Sequence, residues 1–110
     1  MYNPHKWVII KIEPPDQDVI YKVFATWYGG YTGADEWRLN SGVTEIKEDE
    51  THYYFHGASG SIYKCSKNSR AYGTNHYSYG QLNSILELDG VSGIKITRMD
   101  RDTDWLKLIH

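Results

Sequence analysis

Only one cysteine, Cys65, occurs in the 110 residues. No disulfide can therefore form within one chain, and this sparing use suits a reducing compartment. No apolar run approaches the ~20 residues of a membrane-spanning helix, so no membrane partner is expected. Met1 to Lys6 runs straight into a strand-like segment, and no signal peptide is expected there. Neither sign of charge dominates. Twelve basic and fourteen acidic residues leave a formal net charge of −2, which selects no class of partner. Internal repeats, linkers and low-complexity tracts are missing as well. A chain of this size buries roughly two-thirds of its unfolded surface. Residues 1–110 are thus expected to form a single β-rich domain with a sizeable core, soluble and cytoplasmic.

Motifs for cofactor chemistry are also lacking. Gly29-Gly30-Tyr31-Thr32-Gly33 has the glycines of a phosphate loop without the following Lys or the strand-to-helix context. Gly57 to Ser61 could offer backbone amides to an anion, but reads first as a hairpin turn. His52 and His56 invite a metal reading that geometry opposes. Four residues along a strand span about 13 Å, whereas each ligand of one Zn²⁺ lies about 2 Å from the ion. A mononuclear site would need His76, His5 or Cys65 brought in by the fold. No metal and no cofactor is expected.

Aromatic residues, by contrast, are plentiful: four Trp, ten Tyr and two Phe. Tyr favours strands and interfaces, because its ring buries area while its hydroxyl stays wet. Strands are predicted at Lys6 to Glu13, stopped by Pro14-Pro15, and at Val19 to Tyr28, apolar on both faces and so central. A glycine-rich hairpin loop is expected from Gly29 to Asp35. Further strands follow at Trp37 to Ser41, Val43 to Lys47, Thr51 to His56 and Ser61 to Cys65. Ser78 and Gln81 form a capping-box pattern ahead of helically spaced Leu82, Ile85 and Leu86, and Gly90 is the C-cap. Gly93 to Met99 is another strand and Trp105 to Ile109 a last short one. The fold class expected is α+β. It is an antiparallel meander of about six to eight strands, as a twisted sheet or partial barrel, with one α-helix near residues 79–88.

Turn lengths suggest a register for the middle hairpins. If Gly57 to Gly60 closes a tight turn, Tyr54 faces Tyr63, Phe55 faces Ile62, and His52 faces Cys65. If Asp49-Glu50 is the two-residue turn before it, Ile46 faces Tyr53 and Lys47 faces His52. Both turns give one partition. Ile46, Tyr53, Phe55 and Ile62 form a core face. Glu45, Lys47, His52, Tyr54, His56, Tyr63 and Cys65 form the opposite one, either a solvent face or a binding platform. A slip of one residue would exchange the faces of a strand. The acidic cluster Glu45, Glu48, Asp49 and Glu50 reads as a solvated hairpin tip that discourages edge pairing.

One charge feature stands out. From Thr51 to Leu86 there is no Asp or Glu, while Lys64, Lys67 and Arg70 contribute +3. The same window holds Tyr53, Tyr54, Phe55, Tyr63, Tyr72, Tyr77 and Tyr79 with His52, His56 and His76. Cations interleaved with aromatics suit an anionic, stackable ligand: a nucleotide, single-stranded nucleic acid or an acidic protein face.

Trp37-Arg38-Leu39-Asn40-Ser41-Gly42-Val43 and Gly60-Ser61-Ile62-Tyr63-Lys64-Cys65, with Trp7-Val8-Ile9-Ile10-Lys11 before them, resemble small accessory proteins of large tailed bacteriophages. The likeness covers Trp7 to about Cys65. It implies expression in an infected bacterial cytoplasm, and action by binding a host enzyme or defence component or by sequestering a signalling molecule. The expected function is accordingly non-enzymatic binding, a phage-type inhibition of a host or antiviral-defence protein. The expected contact residues are His52, Tyr54, His56, Tyr63, Lys64, Lys67, Arg70, Tyr72 and His76. The alternative is a binder of an anionic nucleotide-like small molecule, and a further one an enzyme using His52, His76 or Cys65. A homodimer through a sheet edge is also open.

Overall fold

In the computed structural model the described residues are 1–29, 36–76 and 78–109. The loop expected from Gly29 to Asp35, beyond Gly29 itself, and Tyr77 lie outside them. The described residues form seven strands in two antiparallel sheets. β1 (Lys6–Glu13), β2 (Ile20–Trp27), β3 (Glu36–Leu39) and β7 (Lys95–Arg98) make a sheet of order β3-β2-β1-β7. β4 (Val43–Glu48), β5 (His52–Gly57) and β6 (Ile62–Ser66) make the second, of order β4-β5-β6. One helix, α1 (Tyr79–Leu86), follows. The α+β, strand-rich class expected from the sequence is the one observed, with the strands divided between two sheets.

The division falls between β3 and β4. Asn40 ends the β2-β3 pairing: its N–H donates to the Val23 carbonyl at 3.0 Å, and its Oδ1 accepts from the Val23 N–H at 2.8 Å. Gly42, at φ +134°, then turns the chain into β4. The central sheet is apolar on both faces because both are covered. Trp7, Ile9, Val23 and Ala25 meet Phe55, Tyr63 and Cys65 of the second sheet. Val8, Ile10 and Phe24 alternate with them and pack under Leu82 of α1. The molecule is therefore layered as sheet, sheet, helix. The outer face of β4-β5-β6 does not lie beneath α1.

Both middle hairpins depart from the expected register. Gly57 pairs with Ser61, its N–H donating to the Ser61 carbonyl at 2.8 Å, so the loop is Ala58-Ser59-Gly60, with Gly60 at φ +91°. Phe55 then faces Tyr63, and Tyr53 faces Cys65. This slip of one residue moves Tyr63 and Cys65 into the core and turns Ile62 outward. In the preceding hairpin Asp49 pairs with His52, and Glu50-Thr51 is the turn. The Asp49 carboxylate accepts from the N–H groups of Thr51 and His52, both at 2.8 Å, which holds that turn in place. Ile46 consequently faces Phe55 and Lys47 faces Tyr54. This slip is of two residues, so Ile46 keeps its inward face.

Two end signals were also rearranged. Ser78 makes no side-chain cap; instead Asn75 Oδ1 accepts from the Ser78 N–H at 2.8 Å, and Asn75 Nδ2 donates to the Trp27 carbonyl at 3.2 Å. Buried Asn75 satisfies both its amide groups this way, tying the start of α1 to β2. α1 ends at Leu86 with Glu87 as its C-cap, not at Gly90; i→i+3 turns then run on through Gly90, φ +87°, into a 3-10 turn at Val91–Gly93. The strand expected at Trp105 to Ile109 is a 3-10 turn, Trp105–Lys107. Its purpose in packing is one ring. Trp105 sits 5.8 Å from Trp7, 6.0 Å from Tyr72 and 6.3 Å from Phe55, closing the space between the sheets.

Candidate functional site

The nine expected contact residues separate into three environments. His52, Tyr54, His56 and Lys64 share the outer face of β5 and β6, each half-buried. Tyr54 stands in a cross-strand row between Lys47 and Lys64, whose Nζ is 6.0 Å from the ring centroid. The Tyr54 hydroxyl donates to Asp49 Oδ2 at 2.6 Å. That bond, with the Thr51 and His52 amides, holds the Asp49 carboxyl well below the usual carboxylate range and raises the Tyr54 phenol. His52 Nδ1 lies 2.8 Å from the Thr51 hydroxyl. Much of this face is thus occupied with holding its own hairpin.

Tyr63 does not belong to that face. It is 2% exposed, with its ring 4.9 Å from Tyr2. Cys65 is fully buried, burial pushes its thiol pKa well up, and its cross-strand partner is Tyr53. The expected Cys65-His52 pairing is absent, because the slip sets Ser66 opposite His52. Cys65 offers no accessible thiolate.

The third environment is the segment after β6. Lys67 was expected to supply positive charge from an acid-free window, but folding brings Glu48 of β4 to 2.6 Å from its Nζ. The same ammonium lies 4.8 Å from the Tyr53 centroid. Its pKa is raised, chiefly by the hydrogen bond to Glu48. Lys67 is consequently neutralised by an acid from outside the window. Arg70 differs. It is exposed, and no ion pair involves it among the described residues.

Arg70 lines a surface groove of about 650 Å³ together with Tyr72, His5, Lys6 and Tyr28, and with the polar side chains of Ser66, Asn68 and Ser69. Three bonds lay this segment against β1. Trp7 Nε1 donates to the Ser66 carbonyl at 2.9 Å, the Gly73 N–H donates to the Trp7 carbonyl at 2.9 Å, and the Ile9 N–H donates to the Tyr72 hydroxyl at 3.3 Å. Gly73 adopts φ +149°, a backbone conformation that residues with a side chain rarely take. Tyr72 is wedged edge-on against Trp7 at 4.8 Å, and burial pushes its phenol up. The ring is a wall and the hydroxyl is structural.

On the opposite wall the His5 and Tyr28 rings stack at 5.6 Å and 16°. His5 Nδ1 accepts the Tyr28 N–H at 2.8 Å, leaving Nε2 to carry the proton. Lys6, like Arg70, has no ion pair among the described residues, and among those residues no carboxylate lines this groove. Two cations without an ion pair among the described residues, a His and two Tyr rings therefore meet in one concavity. The arrangement sets positive charge and hydrogen-bond donors beside an aromatic surface. Ser66 both lines the groove and pairs with His52, so the groove adjoins the outer sheet face. His76 is exposed in the turn before α1 and is not among the lining side chains.

Sequence reasoning missed His5, Lys6 and Tyr28. A register for the first hairpin would have found their proximity, since Lys6 faces Thr26 and the His5 N–H donates to the Thr26 carbonyl at 3.0 Å. Nothing local would have added Arg70, which arrives through the isolated Trp7-Tyr72 bridge. No group of three or more metal-ligating side chains is assembled among the described residues. No family model, curated protein or solved structure matches the chain.

Proposed function

We propose that this protein is a non-enzymatic binding module that captures an acidic protein surface in the groove between β1, the end of β2 and the segment 66–72. The observation that carries this reading is the convergence of Lys6 and Arg70 on a concavity where, among the described residues, neither has an ion pair and no carboxylate is part of the lining. Tyr28, 49% exposed, supplies the aromatic anchor such contacts use. The outer face of β5 and β6, with His52, Tyr54, His56 and Lys64, extends the contact past Ser66. The phage-type resemblance makes the partner a host or antiviral-defence component in the bacterial cytoplasm, with this protein its inhibitor.

The test is capture from bacterial lysate by tagged wild-type protein, followed by association kinetics with the protein recovered. Lys6→Glu and Arg70→Glu should each lower the association rate, and added salt should lower it for the wild type. Capture and association unchanged by both reversals would remove the groove as the contact surface.

The stacked His5-Tyr28 pair favours a second reading, in which a nucleotide-like anion places its base on Tyr28 and its phosphate toward Lys6 and Arg70. The groove's volume lies in the range of small-molecule sites. Native mass spectrometry of protein taken gently from its expression host separates the two. An excess mass of a few hundred daltons, lost on denaturation and absent from Tyr28→Ala, would carry the second reading; an unliganded mass would leave the first.

A further inference from the structure

The second sheet has two outer strands that differ in how they end. Tyr2 covers the middle of β6, its N–H donating to the Ile62 carbonyl at 2.8 Å and its carbonyl accepting from Lys64 at 2.7 Å. β4 pairs with β5 on one side, and the described residues place no strand on the other. The Asp49-His52 pair is hydrogen-bonded. Antiparallel alternation then turns the backbone groups of Lys47 and Glu45 toward β5, and those of Ile46 and Glu48 out to the open edge.

The side chains along this edge alternate in charge. Glu45 and Lys47 project to solvent, their side chains 57% and 64% exposed, with Ile46 inward between them. Their carboxylate and ammonium are 3.8 Å apart within one chain. An antiparallel strand laid along the edge by a twofold axis pairs residue i with j and j with i. Centred on Ile46, it puts Glu45 opposite the partner's Lys47 and Lys47 opposite the partner's Glu45. These are non-hydrogen-bonded positions, where facing side chains are closest. Centred one residue earlier, Glu45 meets its own copy. Centred one later, Lys47 meets its own copy and Glu45 meets the partner's Asp49.

We propose that β4 pairs with β4 of a second copy about a twofold axis at Ile46, joining two three-stranded sheets into one of six. The charges that were expected to discourage edge pairing act instead as a register filter. They penalise the adjacent alignments and favour one, and the acidic tip at Asp49-Glu50 falls beyond the paired segment. The dimer places the outer faces of both copies, with Tyr54, His52 and His56, on one continuous surface. Two grooves carried by one dimer would engage a multivalent partner with avidity.

Sedimentation equilibrium of the full chain, from micromolar to millimolar concentration, tests this. The wild type should approach twice its monomer mass. Glu45→Lys and Lys47→Glu each set like charges opposite one another at two symmetric positions, and each should weaken dimerisation by about tenfold or more. An equimolar mixture of the two single variants should form the heterodimer, since every facing pair is then opposite in sign. The double variant Glu45→Lys/Lys47→Glu should dimerise as the wild type does. Should a single variant lose its strand signal in circular dichroism, the double variant, of unchanged composition, carries the test alone. A monomer at every concentration would overturn the proposal, as would a dimer indifferent to the single reversals or a loss of dimer in the double variant. Lys6→Glu and Arg70→Glu should leave the mass unchanged, which keeps failure of the groove reading separate.

Discussion

Truncating Tyr63 and Ile62 in turn decides which residue of β6 belongs to the core, and with it which side chains a partner could reach. Tyr63 is 2% exposed, faces Phe55 across the ladder and packs on Tyr2. A buried aromatic side chain removes about 150–250 Å² from water. At about 25 cal/mol per Å² that is roughly 4–6 kcal/mol, an upper figure because unfolded chains are themselves partly collapsed. Measured truncations of large buried aromatics cost about 3–5 kcal/mol, and Tyr63→Ala should fall in that range. Ile62 is half-buried on the outer face beside His56. Ile62→Ala should cost about 1 kcal/mol, near half of what full burial contributes. Urea unfolding with an unchanged m-value reads both differences. For a domain of this size the Tyr63 variant should also melt more than about 10 °C below the wild type. If Ile62→Ala costs as much as Tyr63→Ala, the hairpin is in the tight-turn register, with Tyr63 on the exposed platform, and the account of this sheet fails.

Two further outcomes follow from the turns that set the register and the helix start. Asn75→Ala should destabilise by about 1–3 kcal/mol, because the Ser78 N–H and the Trp27 carbonyl both lose their partner; Ser78→Ala should change stability by less than about 0.5 kcal/mol. Equal effects in thermal unfolding would return the cap to Ser78. Asp49, whose carboxyl is held below its ordinary value of 3.8 chiefly by the Tyr54 hydroxyl, contributes stability that is present above that value and lost as pH falls through the folded-state value. Asp49→Asn should therefore be less stable than the wild type near neutrality, and its stability should fall less between about pH 5 and about pH 2. Parallel pH profiles for the two proteins would show that the turn does not depend on the charged carboxylate.

Local chemistry wrote much of this molecule. β1 is bounded by Lys6 and by Pro14-Pro15 as expected. β2 is central, as its two apolar faces require. The inward set Ile46, Tyr53 and Phe55 follows from alternation alone, as do the outward His52, Tyr54 and His56. Turn chemistry was less legible. The loop at Ala58-Ser59-Gly60 and the tight turn at Asp49-His52 differ from their alternatives by one or two residues, a choice made by backbone bonds at Gly57 and by the Asp49 carboxylate. One residue was enough to exchange Tyr63 and Ile62.

By itself, the sequence determined the strand-rich class, the presence of the helix, and a core-facing alternation on β5, because these depend on periodicity and backbone preference within a few residues. Tertiary structure alone decided the rest. It brought Glu48 to Lys67 and so cancelled a cation that the acid-free window seemed to leave unpaired. It laid Tyr72 against Trp7 and so gathered Arg70 with His5, Lys6 and Tyr28, which lie more than forty residues away in the chain. Among the described residues it also left β4 with a strand on one side only, while Tyr2 bridges β6. Charge and hydrogen bonding act through space, and a linear pattern records which groups exist without recording which of them end up neutralised.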